Sequence, residues 1–302
     1  MYTRPLAELR SADEARFGGK SASLGELIAA EIPVPRGFAL STAARADRMS
    51  GPVREAIVSA YAALGDDPPA AVRSSATGED STAATFAGQH ETYLWVRGAE
   101  AVCDAVRNCW ASLDSPAAMS YRRRLGDAAA VPAMGVIVQL MVDAAVSGVM
   151  FTCNPVSGDP STIAVNASWG LGLAVVGGEV TPDEYRVSKV TGELLSRTVS
   201  SKHMEYVPGA TGTVRVDVPE ERCDQPCLDD AQLEALADMG KRVERHFGSP
   251  QDIEWAIARD GRLFLLQARP VTATPAKKSA PAARSAMDLV MDTFGARPSE
   301  GS

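Results

Sequence analysis

The sequence is poor in the residues that most often form metal and redox sites. It contains three histidines far apart, His90, His203 and His246, and five cysteines. A small and odd number of cysteines does not make a disulfide framework. Cys223 and Cys227 are spaced like two metal ligands, but no second Cys or His pair lies near them, so we expect ordinary thiols. Neither G-x-S-x-G nor H-E-x-x-H occurs, which argues against a hydrolase nucleophile elbow and a zincin site.

Long apolar runs are also missing. The longest nearly uncharged run covers residues 131–142, well short of the roughly 20 residues that a membrane-spanning helix needs. Glu8, Arg10 and Asp13 are charged where a secretory leader is apolar. The chain has 30 Lys and Arg against 38 Asp and Glu, a net charge of -8, which disfavours a nucleic-acid or membrane partner. We therefore expect a cytoplasmic, reduced protein.

What remains is an ordinary globular composition with alternating helix and strand signals. Apolar residues make up 45% of the 302 residues and charged residues 23%, so the chain can bury a sizeable core. Apolar spacing predicts helices over residues 53–64, 99–113 and 229–247. Short β-rich runs follow one another at residues 136–142, 147–152, 163–167 and 184–187. Strands that are adjacent in sequence favour antiparallel pairing, so the predicted class is mixed α/β (α+β).

The C-terminal residues have a different composition. Residues 272–285 are mostly Ala, Pro, Lys, Ser and Thr, which is typical of a linker. Beyond them, Met287, Val290, Met291 and Phe294 are spaced to share one face of a short helix. Such a helix could dock a partner. The alternative is a frayed tail with chance spacing, because isolated helices this short are marginal.

Two glycine-containing segments could hold a phosphate. Gly18-Gly19-Lys20-Ser21 is not a Walker A loop, since Glu14 stands where that motif has its first glycine. A lysine at a helix N-terminus still suits an anion, although the motif taken alone favours a helix cap with a solvated lysine. The Ser- and Thr-rich residues 72–88 have Arg73 near their start, and its guanidinium fork could bind a polyphosphate; the alternative is a plain surface loop. Gly170–Gly178 holds four glycines, which indicates a mobile or closely packed loop.

The clearest chemical pattern is a predicted hairpin near the C-terminus. Residues 252–258 and 263–269 read as strands, and Asp260-Gly261 between them predicts a two-residue turn. That turn sets Glu254 opposite Gln267, Asp252 opposite Arg269, and Trp255 opposite Leu266. One face then carries apolar Ile253, Trp255, Ile257, Phe264 and Leu266, and the other carries the polar residues.

The polar face of this hairpin could bind a metal. Glu254 and Gln267 would have Cβ atoms about 5 Å apart, and two oxygen donors with room for phosphate oxygens suit Mg²⁺. Arg269 could hold a terminal phosphate. The alternative is a solvated face with an Asp252–Arg269 surface pair.

Taken in order, the motifs resemble a known family. FGGKSASLGEL, IPVPRGFAL, VRSSATGEDSTAATFAGQHETYL, SGVMFTCNP, VTPDEY, DIEWAI and LLQARPVT are similar to the ATP-binding domain of phosphoenolpyruvate synthase, pyruvate phosphate dikinase and rifampin phosphotransferase. The resemblance implies an ATP-grasp-like fold in which two lobes with mixed or antiparallel sheets enclose a nucleotide cleft. We expect this domain to cover residues 1–272, with lobes of roughly 1–190 and 191–272, and residues 273–302 to be linker and tail.

The resemblance also implies roles for individual residues. Lys20, Arg73 and Arg269 correspond to phosphate-binding, catalytic residues, and Glu254 and Gln267 to Mg²⁺ ligands. ATP and Mg²⁺ are the implied cofactors. The implied nucleotide-contacting set further includes Gln139 and Met141 on the adenine-contacting strand, and Thr82 to Gly88 in a mobile phosphate loop.

One element of the family pattern is missing from this sequence. Family enzymes carry a swivelling domain whose histidine, in a Thr-x-Gly-Gly-x-x-Ser-His-like motif, takes phosphate from ATP, and no such motif occurs here. The expected function is therefore the ATP-binding subunit of a split dikinase-type phosphotransferase, with a separate phosphohistidine subunit as partner and a small-molecule acceptor. The alternatives are a nucleotide-binding regulatory module without turnover and an ATP-grasp carboxylate–amine ligase.

Overall fold

The protein is a mixed α/β chain whose described residues form two large antiparallel sheets and a two-stranded ribbon. The computed structural model describes residues 1–47, 49–77, 92–115, 119 and 133–271. The predicted linker and tail, residues 273–302, lie outside this part of the chain. Within it, the helices are α1 Glu14–Phe17, α2 Gly19–Ala29, α3 Thr42–Ala46, α4 Gly51–Ala62, α5 Ala99–Ser112, α6 Leu173–Val176, α7 Glu220–Cys223 and α8 Asp230–Phe247. Two 3₁₀ helices, Leu6–Glu8 and Ser11–Asp13, precede α1.

The three helices predicted from apolar spacing are confirmed as α4, α5 and α8. The longest, α8, begins with a reciprocal cap, in which the Asp229 carboxylate accepts from the Gln232 amide at 2.8 Å and Gln232 accepts in return from Asp229. It ends at Gly248, whose left-handed φ of 72° is the usual stop signal.

The first sheet has five strands in the order β1–β2–β5–β3–β4, all antiparallel. Its strands are β1 Thr3–Pro5, β2 Gly37–Leu40, β3 Ala70–Ala76, β4 Thr92–Val96 and β5 Met134–Leu140. Successive side chains point to opposite faces, so Val136 and Val138 pack among residues of α4 and α5 while Ile137 packs among residues of α2. Because both faces are covered, β5 is nearly continuous in apolar residues.

The second sheet has six strands in the order β13–β12–β6–β7–β8–β9, again antiparallel. Its strands are β6 Ala144–Phe151, β7 Thr162–Trp169, β8 Asp183–Ser188, β9 Leu194–Thr198, β12 Gln251–Ala258 and β13 Leu263–Pro270. A two-stranded ribbon, β10 Met204–Pro208 and β11 Thr213–Asp217, forms a separate small sheet. The predicted strands are all present, and the α/β class is confirmed.

The predicted division near residue 190 does not match the sheets. The chain passes from the first sheet to the second between Leu140 and Ala144. The physical reason is that β12 pairs with β6, so the C-terminal hairpin joins the strands of residues 144–198 instead of forming a lobe with residues 191–250. The sequence pattern carried no signal for a pairing over that separation.

Helix α2 lies between the two sheets. Its Ser21 hydroxyl contacts Ser75 Oγ of β3 at 3.2 Å, and its Ser23 hydroxyl donates to the Ala268 carbonyl of β13 at 2.8 Å. Leu24 and Leu27 of α2 belong to one buried core that includes residues of both sheets. The two sheets therefore share a hydrophobic core, with α2 fastened to each by hydrogen bonds.

A fully buried ion pair organises the outer part of the second sheet. Lys202 Nζ donates to Asp183 Oδ1 at 2.5 Å, and both side chains have no exposed surface. Asp183 also accepts from the amides of Ser200 and Cys227 and from the Tyr185 hydroxyl. This network joins β8 to the segment before β10 and to the segment that follows α7.

All five cysteines are buried free thiols. None of the helices in the described part of the chain is both long and apolar enough to cross a membrane.

Candidate functional site

The site forms on one face of the β12–β13 hairpin. The turn has three residues, Arg259 to Gly261, because the Ala258 amide donates to the Arg262 carbonyl at 2.9 Å. Gly261 adopts a φ of +84°, which is typical of three-residue hairpin loops. The predicted two-residue turn is therefore wrong, and Ile257 faces Leu263 next to the loop.

A β-bulge at Leu266 then shifts the register back by one residue. Trp255 pairs with Leu265, whereas Glu254 pairs with Gln267 and Asp252 with Arg269. The two polar pairs predicted from the sequence are thus confirmed, because the longer turn and the bulge cancel.

The predicted apolar face is wrong for two of its five residues. Leu265 is fully buried in the main core beside Trp255. Phe264 and Leu266 instead pack with Ala256 on the opposite face, where Glu254 lies. The three-residue turn shifts the register of β13 by one position and so inverts its alternation up to the bulge, which restores it.

Arg73 of β3 reaches across from the first sheet to this face. Its Nη2 donates to Glu254 Oε2 at 2.6 Å, and its Nη1 donates to the Leu266 carbonyl at 3.2 Å. The bulge therefore has a local role, since it turns a backbone carbonyl toward the arginine. Burial raises the pKa of Glu254, but Arg73, Lys20 and Arg269 outweigh it and hold that pKa below its usual value of 4.5.

Arg269 and Asp252 form a second ion pair at the outer end of the hairpin. Nε and Nη2 of Arg269 both lie 2.8 Å from Asp252 Oδ2. The arginine is 53% exposed while Asp252 is 13% exposed. Burial raises the pKa of Asp252 and the adjacent Glu254 adds to that rise, whereas Arg269 opposes both. Arg269 is thus positioned by a carboxylate yet open to solvent.

Lys20 lies in the first turn of α2, next to the same cluster. Its charge is one of those that lower the pKa of Glu254. Gly18 brings the start of α2 against β3, because a Cβ there would lie 2.0 Å from the Ser75 carbonyl oxygen. Lys20 and Arg73 are thereby brought to one place with the hairpin residues.

The other half of the same face is apolar. Phe264, Leu266 and Ala256 pack with apolar residues from three other parts of the chain. These are Met141 and Val142 between the two sheets, Ala144 at the start of β6, and Leu171 and Tyr206 from the glycine-rich segment and the ribbon. The face therefore has an apolar half and a charged half, which suits a ligand with a flat apolar group at one end and anions at the other.

The remaining predicted residues divide between this patch, the sheet interior and the undescribed part of the chain. Met141 lies in the apolar patch. Gln139 is buried within β5, and its side-chain amide donates to the Pro35 carbonyl at 3.4 Å. Thr82 and Gly88 lie outside the described residues.

Sequence reasoning missed the role of the glycine-rich segment 170–178. Gly170 has a φ of +70°, and a Cβ there would lie 2.5 Å from the Tyr206 carbonyl. The Leu171 amide donates to that same carbonyl at 2.9 Å. The ribbon is thus held against the apolar patch. The glycine cluster signalled a close approach, but nothing in it identified Tyr206 as the neighbour.

The donor set on the charged half fits Mg²⁺. The Glu254 carboxylate and the Gln267 amide stand side by side, and magnesium prefers oxygen ligands, usually one or two carboxylates completed by phosphate and water. Among the described residues, no group of three or more His, Cys, Asp or Glu side chains is placed to hold a metal. The hairpin thus offers a partial ligand set of the kind that a polyphosphate completes.

Comparisons with known proteins identify relatives of this chain. A "Probable phosphoenolpyruvate synthase" of Methanothermobacter thermautotrophicus is 40% identical over 90% of this chain and 46% of its own length. A "Rifampicin phosphotransferase" of Streptomyces sviceus is 38% identical over 90% of this chain and 36% of its own length. The chain therefore spans less than half the length of these relatives.

Among solved structures, the ATP-grasp ligase PsnB complexed with minimal precursor is similar at 11% identity and a TM-score of 0.33, over 94% of this chain and 60% of that one. Residues 45–288 match the profile described as "Pyruvate phosphate dikinase, AMP/ATP-binding domain". With most of its length matched, the chain belongs to this family of AMP/ATP-binding domains.

Proposed function

We propose that this chain is the ATP-binding part of a split dikinase-type phosphotransferase. It uses Mg-ATP to phosphorylate a histidine on a separate swivelling domain or subunit. One phosphoryl group of ATP goes to that histidine, the other goes to water and is released as phosphate, and AMP is released. The histidine-bearing partner then passes the phosphoryl group to a small-molecule acceptor. The observation that carries this proposal is the single hairpin face whose apolar half adjoins a cluster of three cations and two carboxylates.

Different residues bind different parts of such a nucleotide. The apolar patch around Phe264 and Met141 receives the base, and the charged half receives the phosphates. Lys20, Arg73 and Arg269 neutralise charge on the phosphate oxygens, and the backbone amides at the start of α2 add to that field. Glu254 and Gln267 hold magnesium, which supplies further charge neutralisation when bound.

Catalysis in this scheme rests on positioning and electrostatics. Phosphoryl transfer needs an aligned nucleophile and stabilised equatorial oxygens, and little covalent chemistry from the protein that binds ATP. Arg73 is held by Glu254 and the Leu266 carbonyl, and Arg269 by Asp252, so these two cations are oriented before the nucleotide arrives. The nucleophile is the partner's histidine, and this chain contributes none.

The proposal is tested by following the products of ATP with ³¹P NMR. The chain alone should turn over ATP slowly or not at all, while addition of a histidine-bearing domain from a phosphoenolpyruvate synthase relative should yield AMP, phosphate and an acid-labile phosphohistidine. The same domain with its histidine replaced is the control. Robust ADP formation by the chain alone would instead favour an ordinary kinase or a ligase. ATP binding with no turnover under any condition would favour a regulatory module.

A further inference from the structure

The family resemblance assigns Arg73 and Glu254 to different ligands, but in this structure the two side chains form an ion pair with each other. The resemblance gives Arg73 a phosphate and Glu254 a magnesium ion. Here the guanidinium and the carboxylate are 2.6 Å apart, with 16% and 23% of their side-chain surfaces exposed. The second arm of the arginine is held by the Leu266 carbonyl at 3.2 Å, so the fork is oriented on both sides.

This ion pair affects how a free divalent cation can bind to the Glu254 carboxylate. A metal ion that takes Glu254 must displace the guanidinium from its carboxylate. Arg73 would then be a largely buried cation without a counter-ion, close to Lys20 and Arg269, whose charges also act on Glu254. Removing one partner from a buried ion pair is strongly unfavourable. Free metal is therefore opposed by the pair.

A polyphosphate removes this penalty. When phosphate oxygens reach the charged half, Arg73 exchanges the carboxylate for a phosphate, and bidentate arginine–phosphate pairs are as favourable as arginine–carboxylate pairs. Glu254 is then released to the metal that the phosphates carry. Only the joint exchange leaves both side chains with a partner of opposite charge.

We propose, on the basis of the function proposed above, that the Arg73–Glu254 pair couples metal and phosphate binding. It closes the magnesium site to free divalent cations and opens it when metal and polyphosphate arrive together. The coupling is reciprocal, so metal also strengthens phosphate binding at Arg73 by the same factor.

The test measures binding of Mn²⁺ alone, by its free-ion EPR signal, to the nucleotide-free protein. Glu254→Gln should leave this affinity the same as in the wild-type chain, because the paired carboxylate does not take free metal. Arg73→Gln should raise it about tenfold, within the usual range of coupling between sites. The double variant Arg73→Gln, Glu254→Gln should lose that gain, and Arg197→Gln, on a surface arginine paired with Asp230, is the matched control.

Two results would overturn the proposal. One is a wild-type Mn²⁺ site that Glu254→Gln weakens without nucleotide, and this comparison stands even where Arg73→Gln fails to fold. The other is a folded Arg73→Gln protein with wild-type Mn²⁺ affinity. Calorimetry of the wild-type chain with Mg²⁺ and a non-hydrolysable ATP analogue distinguishes failure of the coupling proposal from failure of the proposed function. If the analogue does not bind, the proposed nucleotide site itself is wrong.

Discussion

Gly18 stands so close to Ser75 that a Cβ on Gly18 would lie 2.0 Å from the Ser75 carbonyl oxygen. The Ser75 hydroxyl, in turn, accepts from the Ser21 amide at 3.2 Å. The first turn of α2 is thus seated on β3 two residues along from Arg73. This contact sets where Lys20 meets the charged half of the site.

Replacing Gly18 with alanine should disturb both stability and nucleotide binding. The residue has a φ of +86°, and backbone atoms of Ser75 cannot move aside as a flexible side chain would. We expect a loss of about 1–3 kcal/mol in the free energy of unfolding and weaker ATP binding, measured by denaturant titration and calorimetry. Gly51→Ala is the control, since nothing lies within 4 Å of that Cβ. Equal effects of the two variants would contradict the seating role.

Glu254→Gln should weaken binding of Mg-ATP while leaving the fold intact. The variant keeps the shape of the side chain and removes a charge that balances the metal. Calorimetry in the presence of Mg²⁺ should show about tenfold or greater loss of affinity, of the order of one lost charge-assisted contact. Glu184→Gln, on an exposed residue of β8, should bind as the wild-type chain does. Wild-type affinity that survives chelation of the metal would rule out the hairpin site.

The stability that Glu254 contributes should depend on pH in a defined direction. Its pKa is lowered in the folded protein relative to the usual 4.5, so the unfolded chain binds the proton more tightly. The ionised carboxylate therefore stabilises the fold above pH 4.5, and this is lost as the pH falls through the folded pKa. The difference in unfolding free energy between wild type and Glu254→Gln should shrink below pH 4.5. A difference that grows on acidification would mean the opposite sign of shift.

Breaking the buried Asp183–Lys202 pair should be among the most destabilising changes in the second sheet. Asp183→Asn leaves the Lys202 ammonium buried without a counter-ion, and such changes cost about 3–5 kcal/mol. Urea unfolding measures the loss. Asp104→Asn, which removes an exposed partner of Arg107 on α5, should cost less than about 1 kcal/mol. Similar losses from both variants would show that burial of the pair is unimportant.

The hairpin shows how far local pattern carries a prediction. Alternation and a turn signal were enough to place Glu254 opposite Gln267. The turn, however, has one residue more than predicted, and the bulge at Leu266 was not predicted at all; these two errors in register cancelled. The pairing beyond the bulge was therefore predicted correctly for an incomplete reason. Phe264 and Leu266 lie after the turn and before the register is restored, so the prediction assigned them to the wrong face.

Contacts between distant segments could not be predicted in this way. Arg73 and Glu254 are 181 positions apart, and no spacing rule connects two strands in different sheets. The sequence indicated that each was a ligand-type residue, through the loop and hairpin in which it occurs. That they meet follows only from the pairing of β12 with β6 and the position of α2. The buried Asp183–Lys202 pair was likewise absent from the sequence predictions, since neither residue lies in a regular polar pattern.

The pairing of β12 with β6 also has a consequence for synthesis on the ribosome. Strand β6 ends at residue 151 and its partner begins at residue 251, so one edge of β6 lacks that neighbour until nearly the whole domain has emerged. Contacts that close such long loops form late and slowly, and an open strand edge invites pairing with other chains meanwhile. Glu254 and Gln267 arrive with that last hairpin. A nascent chain halted before residue 251 therefore carries Lys20 and Arg73 but has neither of the two proposed metal ligands.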